Sequence, residues 1–161
     1  NTKTDLVWQN DSTRQAAVWY MGGAQGNQFQ SFGWLANPGV AGWSVVAITD
    51  LDGNGRPDLI WQNDTTRQAV AWYMGGSKGD QYQSFAWLQS SDIPGWKIVS
   101  AADLNSDSKP DLIWQEDSTR KVAVWYMGGP QGSQFQSFAW LDGAGTPGWS
   151  VAGMAHLDTN G

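Results

Sequence analysis

The sequence predicts an all-β fold in which three copies of one four-stranded unit follow each other along the chain. The segment DLVWQNDSTR at residues 5–14 returns as DLIWQNDTTR at 58–67 and as DLIWQEDSTR at 111–120, a shift of 53 residues each time. A repeat of this length is in the range of β-propeller blades and is longer than most helical repeats. Four tryptophans keep the same register in every copy: Trp8, Trp61 and Trp114; Trp19, Trp72 and Trp125; Trp34, Trp87 and Trp140; Trp43, Trp96 and Trp149.

Each repeat contains four short runs that are typical of strands. In the second copy they are DLIWQN (58–63), AVAWYMG (69–75), QYQSFAWL (81–88) and GWKIVSAAD (95–103). These runs are rich in β-branched and aromatic residues, and Gly, Pro, Asn, Asp or Ser bounds each of them. NDTTR has the residues of a tight hairpin turn, and GGSKGD those of a looser one. Four antiparallel strands per repeat predict a β-propeller blade. A β-solenoid is the alternative, although its coils are usually shorter.

The positions at which the repeats begin and end predict how the blades are completed. We treat residues 1–161 as a single propeller segment with repeats at 5–57, 58–110 and 111–161. The chain starts directly at DLVW and ends with GWSVAGMAHLDTNG, so one blade has three strands at the N-terminus and its fourth at the C-terminus. Joining both ends within one chain would give three blades, fewer than the usual four to eight. We therefore expect a homo-oligomer: a dimer with six blades, or alternatively a trimer with nine.

Composition excludes several functional classes. The 161 residues carry a net charge of −6 with only nine Lys and Arg, whereas nucleic-acid binders need a basic face. There is no apolar run long enough to cross a membrane, and no cysteine for disulfides or thiolate metal sites. With a single histidine and no cysteine, the chain also lacks the usual nucleophile and base pairs, so we expect no enzymatic activity.

The stretch DLDGNGRPD at residues 50–58 is the candidate metal site. Side-chain oxygens of Asp50, Asp52, Asn54 and Asp58 occupy positions 1, 3, 5 and 9, and the carbonyl group of Arg56 is available at position 7. Calcium prefers such an all-oxygen, glycine-containing loop. The start of an EF-hand has the same spacing, although the bidentate glutamate at position 12 is missing. The alternative is an acidic turn that is favoured for backbone reasons alone.

Two further copies of this loop are present. The second keeps oxygen ligands at the same positions while exchanging Asp and Asn: Asp103, Asn105, Asp107, Asp111 and the carbonyl group of Lys109. The third is divided between the two ends of the chain, with His156, Asp158 and Asn160 at one end and Asp5 at the other. Because imidazole is a poor calcium ligand, we expect this third site to be weak or empty.

The segments DLDGNGRPDLIWQN and DLNSDSKPDLIWQED, each after a GW strand, resemble the FG-GAP or VCBS repeat of integrin-α-type propellers. They are also similar to the blades of fungal lectins of the PVL type. The resemblance implies a propeller that uses calcium as its cofactor, in which each loop joins the innermost strand of a blade to the second. His156 departs from this pattern. Because these loops lack a full carboxylate shell, weak binding of about 10⁻⁴ to 10⁻³ M is expected, which favours an extracellular or secreted protein.

Carbohydrate binding is the first functional hypothesis, since sugars are bound by aromatic faces together with a few planar polar groups. Repeated sites would make such binding multivalent. The candidate residues are Trp19, Tyr20, Arg14 and Gln28; Trp72, Tyr73, Arg67 and Gln81; and Trp125, Tyr126, Arg120 and Gln134. A protein-interaction or adhesion scaffold is the alternative, with partner recognition in loops that differ between copies. An engineered or recently duplicated propeller without a selected ligand is a third possibility.

Overall fold

A computed structural model describes residues 3–155, and these residues form eleven β-strands and no helix. None of their segments is a helix that could span a membrane. The strands are β1 (Leu6–Gln9), β2 (Ala16–Gly22), β3 (Gln28–Ala36), β4 (Trp43–Thr49), β5 (Asp58–Asn63), β6 (Ala69–Gly75), β7 (Gln81–Gln89), β8 (Trp96–Ala102), β9 (Asp111–Glu116), β10 (Val122–Gly128) and β11 (Gln134–Asp142).

The strands form three antiparallel sheets in which sequential strands are neighbours. Sheet 1 contains β1, β2 and β3; sheet 2 contains β4 to β7; and sheet 3 contains β8 to β11. In sheets 2 and 3 the GW strand, β4 or β8, is an edge strand that precedes the acidic loop. The predicted all-β class is therefore confirmed, and the three sheets are consistent with propeller blades, although among residues 3–155 they do not close into a ring.

The tight turn between β5 and β6 is built around an asparagine side chain that accepts hydrogen bonds from backbone N–H groups. In sheet 2, Asn63 Oδ1 accepts hydrogen bonds from the N–H groups of Thr65 and Thr66, both at 2.9 Å. Arg67 then adopts a positive φ of 65°, and its N–H group donates to the carbonyl oxygen of Asn63. Asparagine is favoured in turns for this local bonding. The turn fixes the register of β5 against β6.

The sheets pack face to face in sequence order, and the two faces of each sheet differ. The face that we call the Trp face contains Leu59, Trp61 and Met74 in sheet 2, and it packs against sheet 1. The opposite face, which we call the Tyr face, contains Ile60 and Tyr73 and packs against sheet 3. Each contact thus joins the Tyr face of one sheet to the Trp face of the next. The two hydrophobic cores lie in these contacts, because strands place alternate side chains on opposite faces.

Candidate functional site

The first acidic loop joins β4 to β5 and folds around one carboxylate. The N–H groups of Gly53, Asn54 and Gly55 donate hydrogen bonds to the carboxylate oxygens of Asp50 at 2.9, 3.0 and 2.8 Å. Gly53 and Gly55 have φ angles of 79° and 80°, which glycine adopts at little cost. The resulting curvature brings the carboxylates of Asp50, Asp52 and Asp58 together, with one ligand atom from each within 4.8 Å of the others.

Asp58 ties this loop to the sheet. Its side chain is fully buried; Oδ2 accepts from the N–H group of Leu51 at 2.9 Å and Oδ1 from that of Met74 in β6 at 2.8 Å. Burial raises the pKa of Asp58, and the two backbone hydrogen bonds oppose that rise. Asn54 adds a second link, because its Nδ2 donates to Asp52 Oδ2 and to the carbonyl oxygen of Met74, both at 3.1 Å.

The second loop, between β8 and β9, repeats the buried anchor. Asp111 accepts hydrogen bonds from the N–H groups of Leu104 and Met127, both at 3.0 Å. The residues at the two glycine positions are serines, Ser106 and Ser108, which have φ angles of 62° and 68°. A non-glycine residue is strained in this region. Among the residues that the structure describes, only the first loop brings three carboxylates close enough to share an ion.

The remaining predicted ligands are placed as follows. In the first loop, the Arg56 N–H group donates to Asn54 Oδ1 at 2.7 Å, and in the second the Lys109 N–H group donates to Asp107 Oδ1 at 2.8 Å. Asp103 accepts from the N–H groups of residues 107 and 108, and Nδ2 of Asn105 donates to Asp107. Asp5 accepts from the N–H group of residue 21 at 2.7 Å. The other predicted ligands of the third loop, His156, Asp158 and Asn160, lie outside the described residues.

The donor set of the first loop fits a hard cation. All its candidate ligand atoms are oxygens, three of them from carboxylates that lie close together. Calcium takes six to eight oxygen ligands, so backbone carbonyl groups or water would have to complete the shell. An isolated cluster of three carboxylates repels itself electrostatically, and a divalent cation would relieve that repulsion.

Aromatic clefts form the second candidate site. A cavity of about 320 Å³ on the Trp face of sheet 3 is lined by Ile93, Trp96, Trp114, Trp125, Phe138 and Trp140, among others. A cavity of the same volume at the corresponding place in sheet 2 is lined by Val40, Trp43, Trp61, Trp72 and Phe85, among others. Outer strands β7 and β11 supply the most exposed rings, such as Phe85 at 52% and Phe138 at 55%.

Comparison with known proteins bears on the acidic loops. Residues 50–114 match the family of FG-GAP-like repeats. The matched stretch begins at the first acidic loop, spans the rest of sheet 2 after β4, and ends in β9, so it contains both complete loops. No curated protein and no solved structure matches the chain. The FG-GAP-like repeat and the three antiparallel sheets fit a β-propeller of the FG-GAP type, a family that is usually non-enzymatic and used in protein interaction.

The predicted carbohydrate residues lie in different parts of the structure. Trp72 and Trp125 line the aromatic clefts, and Trp19 packs against Trp8 in sheet 1 with ring centroids 4.9 Å apart. Tyr73 lies on the opposite face, where its hydroxyl group donates to the carbonyl oxygen of Gln131 at 3.0 Å. The hydroxyl group of Tyr20 donates to the carboxylate oxygen Oδ2 of Asp80 at 2.8 Å, and burial raises the pKa of Tyr20. Tyr126 is the corresponding residue of sheet 3.

The predicted arginines and outer glutamines do not line the clefts. Arg14 Nη2 is 2.7 Å from Asp64 Oδ2, and Arg67 Nη2 is 3.1 Å from Asp117 Oδ2, so both arginines link neighbouring sheets. Arg120 is the equivalent residue of sheet 3. The exposed glutamines lie over glycines at the β-hairpin ends: Gln28 on Gly23, Gln81 on Gly76 and Gln134 on Gly129. Of the predicted carbohydrate residues, the structure thus brings only Trp72 and Trp125 into the described clefts.

A second set of repeated glutamines links neighbouring sheets. Gln62 in β5 donates from Nε2 to the carbonyl oxygen of Trp96 at 3.4 Å, and its Oε1 accepts from the N–H group of Ile98 at 3.0 Å, both in β8 of the next sheet. Gln9 makes the same pair of bonds to β4. The partners of these glutamines lie 34 and 36 residues further along the chain, beyond the range of a local sequence pattern.

Proposed function

We propose that this chain is a calcium-binding extracellular propeller segment that binds carbohydrate in its aromatic clefts. The observation that carries the proposal is the recurrence of one aromatic cleft of about 320 Å³ at the same place in sheets 2 and 3. Each cleft presents exposed aromatic rings on an otherwise buried wall, an arrangement that suits stacking against the C–H face of a sugar. Two or more such clefts on one rigid scaffold would give multivalent binding.

Calcium has a structural role in this proposal. The carboxylates of Asp50 and Asp52 lie beside the buried Asp58, which holds the loop against β6. An ion shared among them would fix the connection between the edge strand β4 and β5. Loops with weak calcium affinity bind the ion at extracellular calcium concentrations, and we therefore propose that the protein is secreted.

The calcium proposal is tested by thermal melting. With a dissociation constant of about 10⁻⁴ M, calcium at about 1 mM would stabilise the fold by about 1.4 kcal/mol, which raises Tm by about 3–6 °C. We expect that gain in calcium over EDTA, and its reduction when Asp50 and Asp52 are replaced by Asn. Asp92→Asn, in an exposed loop outside the acidic loops, is the matched control. Identical melting curves in calcium and EDTA would refute the metal site.

The carbohydrate proposal is tested on a glycan array, in millimolar calcium and again in EDTA. We expect binding to a defined sugar class that is lost when Phe85 and Phe138 are both replaced by Ala, because their exposed rings line the clefts. Gln83→Ala, an exposed substitution outside the cleft lining, should leave binding unchanged. Absence of binding in both buffers would reject the carbohydrate hypothesis.

Protein interaction is a second candidate, and one feature favours it. The described lining of both clefts contains no charged or amide side chain, whereas sugar sites use planar polar groups for orientation. An apolar side chain of a protein partner would fit such a lining. In this case the loops that differ between repeats, residues 24–27, 77–80 and 130–133, would select the partner, and exchanging them between repeats would change partner binding while the glycan array stays negative.

A further inference from the structure

Equivalent residues of the three sheets differ sharply in exposure on the Trp face. Leu59 in sheet 2 and Leu112 in sheet 3 are 2% and 0% exposed, whereas the corresponding Leu6 in sheet 1 is 45% exposed. Trp8 of sheet 1 is likewise half exposed, although the tryptophans at its position in the other sheets are buried. Sheet 1 covers the Trp face of sheet 2 and sheet 2 covers that of sheet 3, whereas no residue among 3–155 covers the Trp face of sheet 1. The Trp face of sheet 1 is therefore an uncovered half of a contact that the chain makes twice.

The opposite end of the stack exposes the other half of that contact. On the Tyr face, Leu35 in sheet 1 and Leu88 in sheet 2 are 8% and 6% exposed, but the corresponding Leu141 in sheet 3 is 47% exposed. Leu35 and Leu88 each belong to a core that joins two sheets. The two ends of the stack consequently have different and complementary faces.

Charged residues follow the same pattern. The two ion pairs that cross between sheets join Arg14 to Asp64 and Arg67 to Asp117. The next members of these series are Arg120 in sheet 3 and Asp11 in sheet 1. Within residues 3–155 no ion pair involves Arg120 or Asp11. One end of the stack thus presents the cation, and the other end the anion, of a third pair.

The C-terminal segment occupies the place of a further edge strand. Gln115 in β9 donates to the carbonyl oxygen of Trp149 at 3.4 Å and accepts from the N–H group of Val151 at 3.1 Å. These are the bonds that Gln9 makes to β4 and Gln62 makes to β8. However, β4 and β8 each continue into a ladder with the following strand, whereas residues 149–155 belong to no sheet. In the part of the chain that the structure describes, β1 of sheet 1 pairs only with β2.

We propose that a second copy of this chain docks head to tail, so that its sheet 1 covers the Tyr face of sheet 3 and its β1 pairs with residues 149–155. The blade formed in this way is shared by the two copies. Its register follows from sheet 2, where Ile48 lies opposite Leu59, and from sheet 3, where Ala101 lies opposite Leu112. The equivalent pair is Met154 of one copy opposite Leu6 of the other. Arg120 then meets Asp11 across the same contact.

The proposed contact uses both ends of each copy, and we propose that two copies close into a ring. A head-to-tail contact gives a closed ring when the rotation per subunit completes a turn and an open filament when it does not. Two copies with three blades each give six blades, within the range of known propellers, whereas one chain joined to itself would give three. None of the acidic-loop carboxylates takes part in the Met154–Leu6 or Arg120–Asp11 pairs. The proposal therefore stands or fails independently of calcium and sugar binding.

Cysteine cross-linking tests the register. The chain has no cysteine, so a variant with Leu6→Cys and Met154→Cys contains a single possible pair. Directly opposite residues of antiparallel strands are close enough for a disulfide. We expect mild oxidation to give a covalent dimer on a non-reducing gel, while each single substitution stays monomeric there. A variant with Ile48→Cys and Leu59→Cys, the equivalent pair within sheet 2, should form only a disulfide within one chain.

Native mass and a charge exchange complete the test. We expect the unmodified protein to have the mass of two chains, Arg120→Glu to weaken the assembly about tenfold through repulsion from Asp11, and addition of Asp11→Arg to restore it. Far-UV circular dichroism establishes that each variant is folded. A native mass of one chain, a disulfide between residues 6 and 154 within one chain, or failure of the charge exchange to restore assembly would overturn the proposal.

Discussion

Replacing Gln62 by Ala is the sharpest test of how the sheets are held together. The side chain is 1% exposed and makes three hydrogen bonds. Nε2 donates to the carbonyl oxygens of Arg67 at 3.0 Å and Trp96 at 3.4 Å, and Oε1 accepts from the N–H group of Ile98 at 3.0 Å. Two of these bonds cross from sheet 2 to sheet 3. The substitution therefore removes a link between the sheets and leaves the Trp96 carbonyl and the Ile98 N–H group without their side-chain partner.

The cost follows from these contacts. A hydrogen bond contributes about 1 kcal/mol net to stability, and a buried donor left without a partner costs about 1–3 kcal/mol. Because Ile98 is 3% exposed, water cannot easily replace the lost acceptor. We expect a loss of about 3 kcal/mol in the free energy of unfolding, equivalent to a fall in Tm of about 6–12 °C for a domain of this size.

Urea denaturation at a fixed protein concentration measures this loss. Gln83→Ala is the matched control, since Gln83 is exposed and its amide group donates only to the nearby carbonyl oxygen of Gln81 at 3.2 Å. That control should change the free energy of unfolding by less than about 0.5 kcal/mol. If Gln62→Ala were no more destabilising than Gln83→Ala, the glutamine links would not stabilise the stack, and the reasoning would be refuted.

Four further substitutions test local features. Ser106→Gly should stabilise the protein by about 0.5–1 kcal/mol in urea denaturation by relieving a positive φ, and Gly53→Ser should destabilise it similarly; no change in either would contradict the strain argument. Hydrogen bonds from Thr119 and Ser118 lower the pKa of Glu116 from 4.5 to about 2, so this carboxylate stabilises the fold above pH 4.5 and ceases to do so as the pH falls towards 2. The stability advantage of the protein over Glu116→Asn should therefore shrink between pH 4.5 and 2, and a constant difference would refute this. Tyr73→Phe removes the hydrogen bond to Gln131 and should cost about 1 kcal/mol in thermal melts; an unchanged Tm would contradict that contact.

Much of the local structure could be predicted from the sequence. The runs at 58–63 and 69–75 form strands with those bounds. The run at 81–88 corresponds to β7, which is one residue longer, and the run at 95–103 corresponds to β8, which is one residue shorter at each end. Alternating apolar residues predict the strands and turn-forming residues predict where they end, because both signals extend over only a few positions. The convergence of Asp50, Asp52 and Asp58 is also consistent with their spacing in the loop.

The contacts between sheets could not be predicted in the same way. Gln62 and Gln81 look alike in the sequence, yet the first binds the backbone of the next sheet and the second lies over Gly76. Arg67 was a carbohydrate candidate, but it forms an ion pair with Asp117, fifty positions away. The sequence shows which groups can form hydrogen bonds. It does not show which distant main-chain groups the stacking of the sheets brings within reach.

The glutamine links have a consequence for how such a protein can change over evolutionary time. Each glutamine binds carbonyl and N–H groups of the neighbouring strand and makes no hydrogen bond to that strand's side chains. Every residue except proline offers these groups, so Val45 and Ile98 serve equally as donors. A repeat copied, lost or exchanged by recombination would meet compatible neighbours at once, without compensating substitutions. Blades can therefore diverge on their exposed loops while they remain interchangeable in the stack.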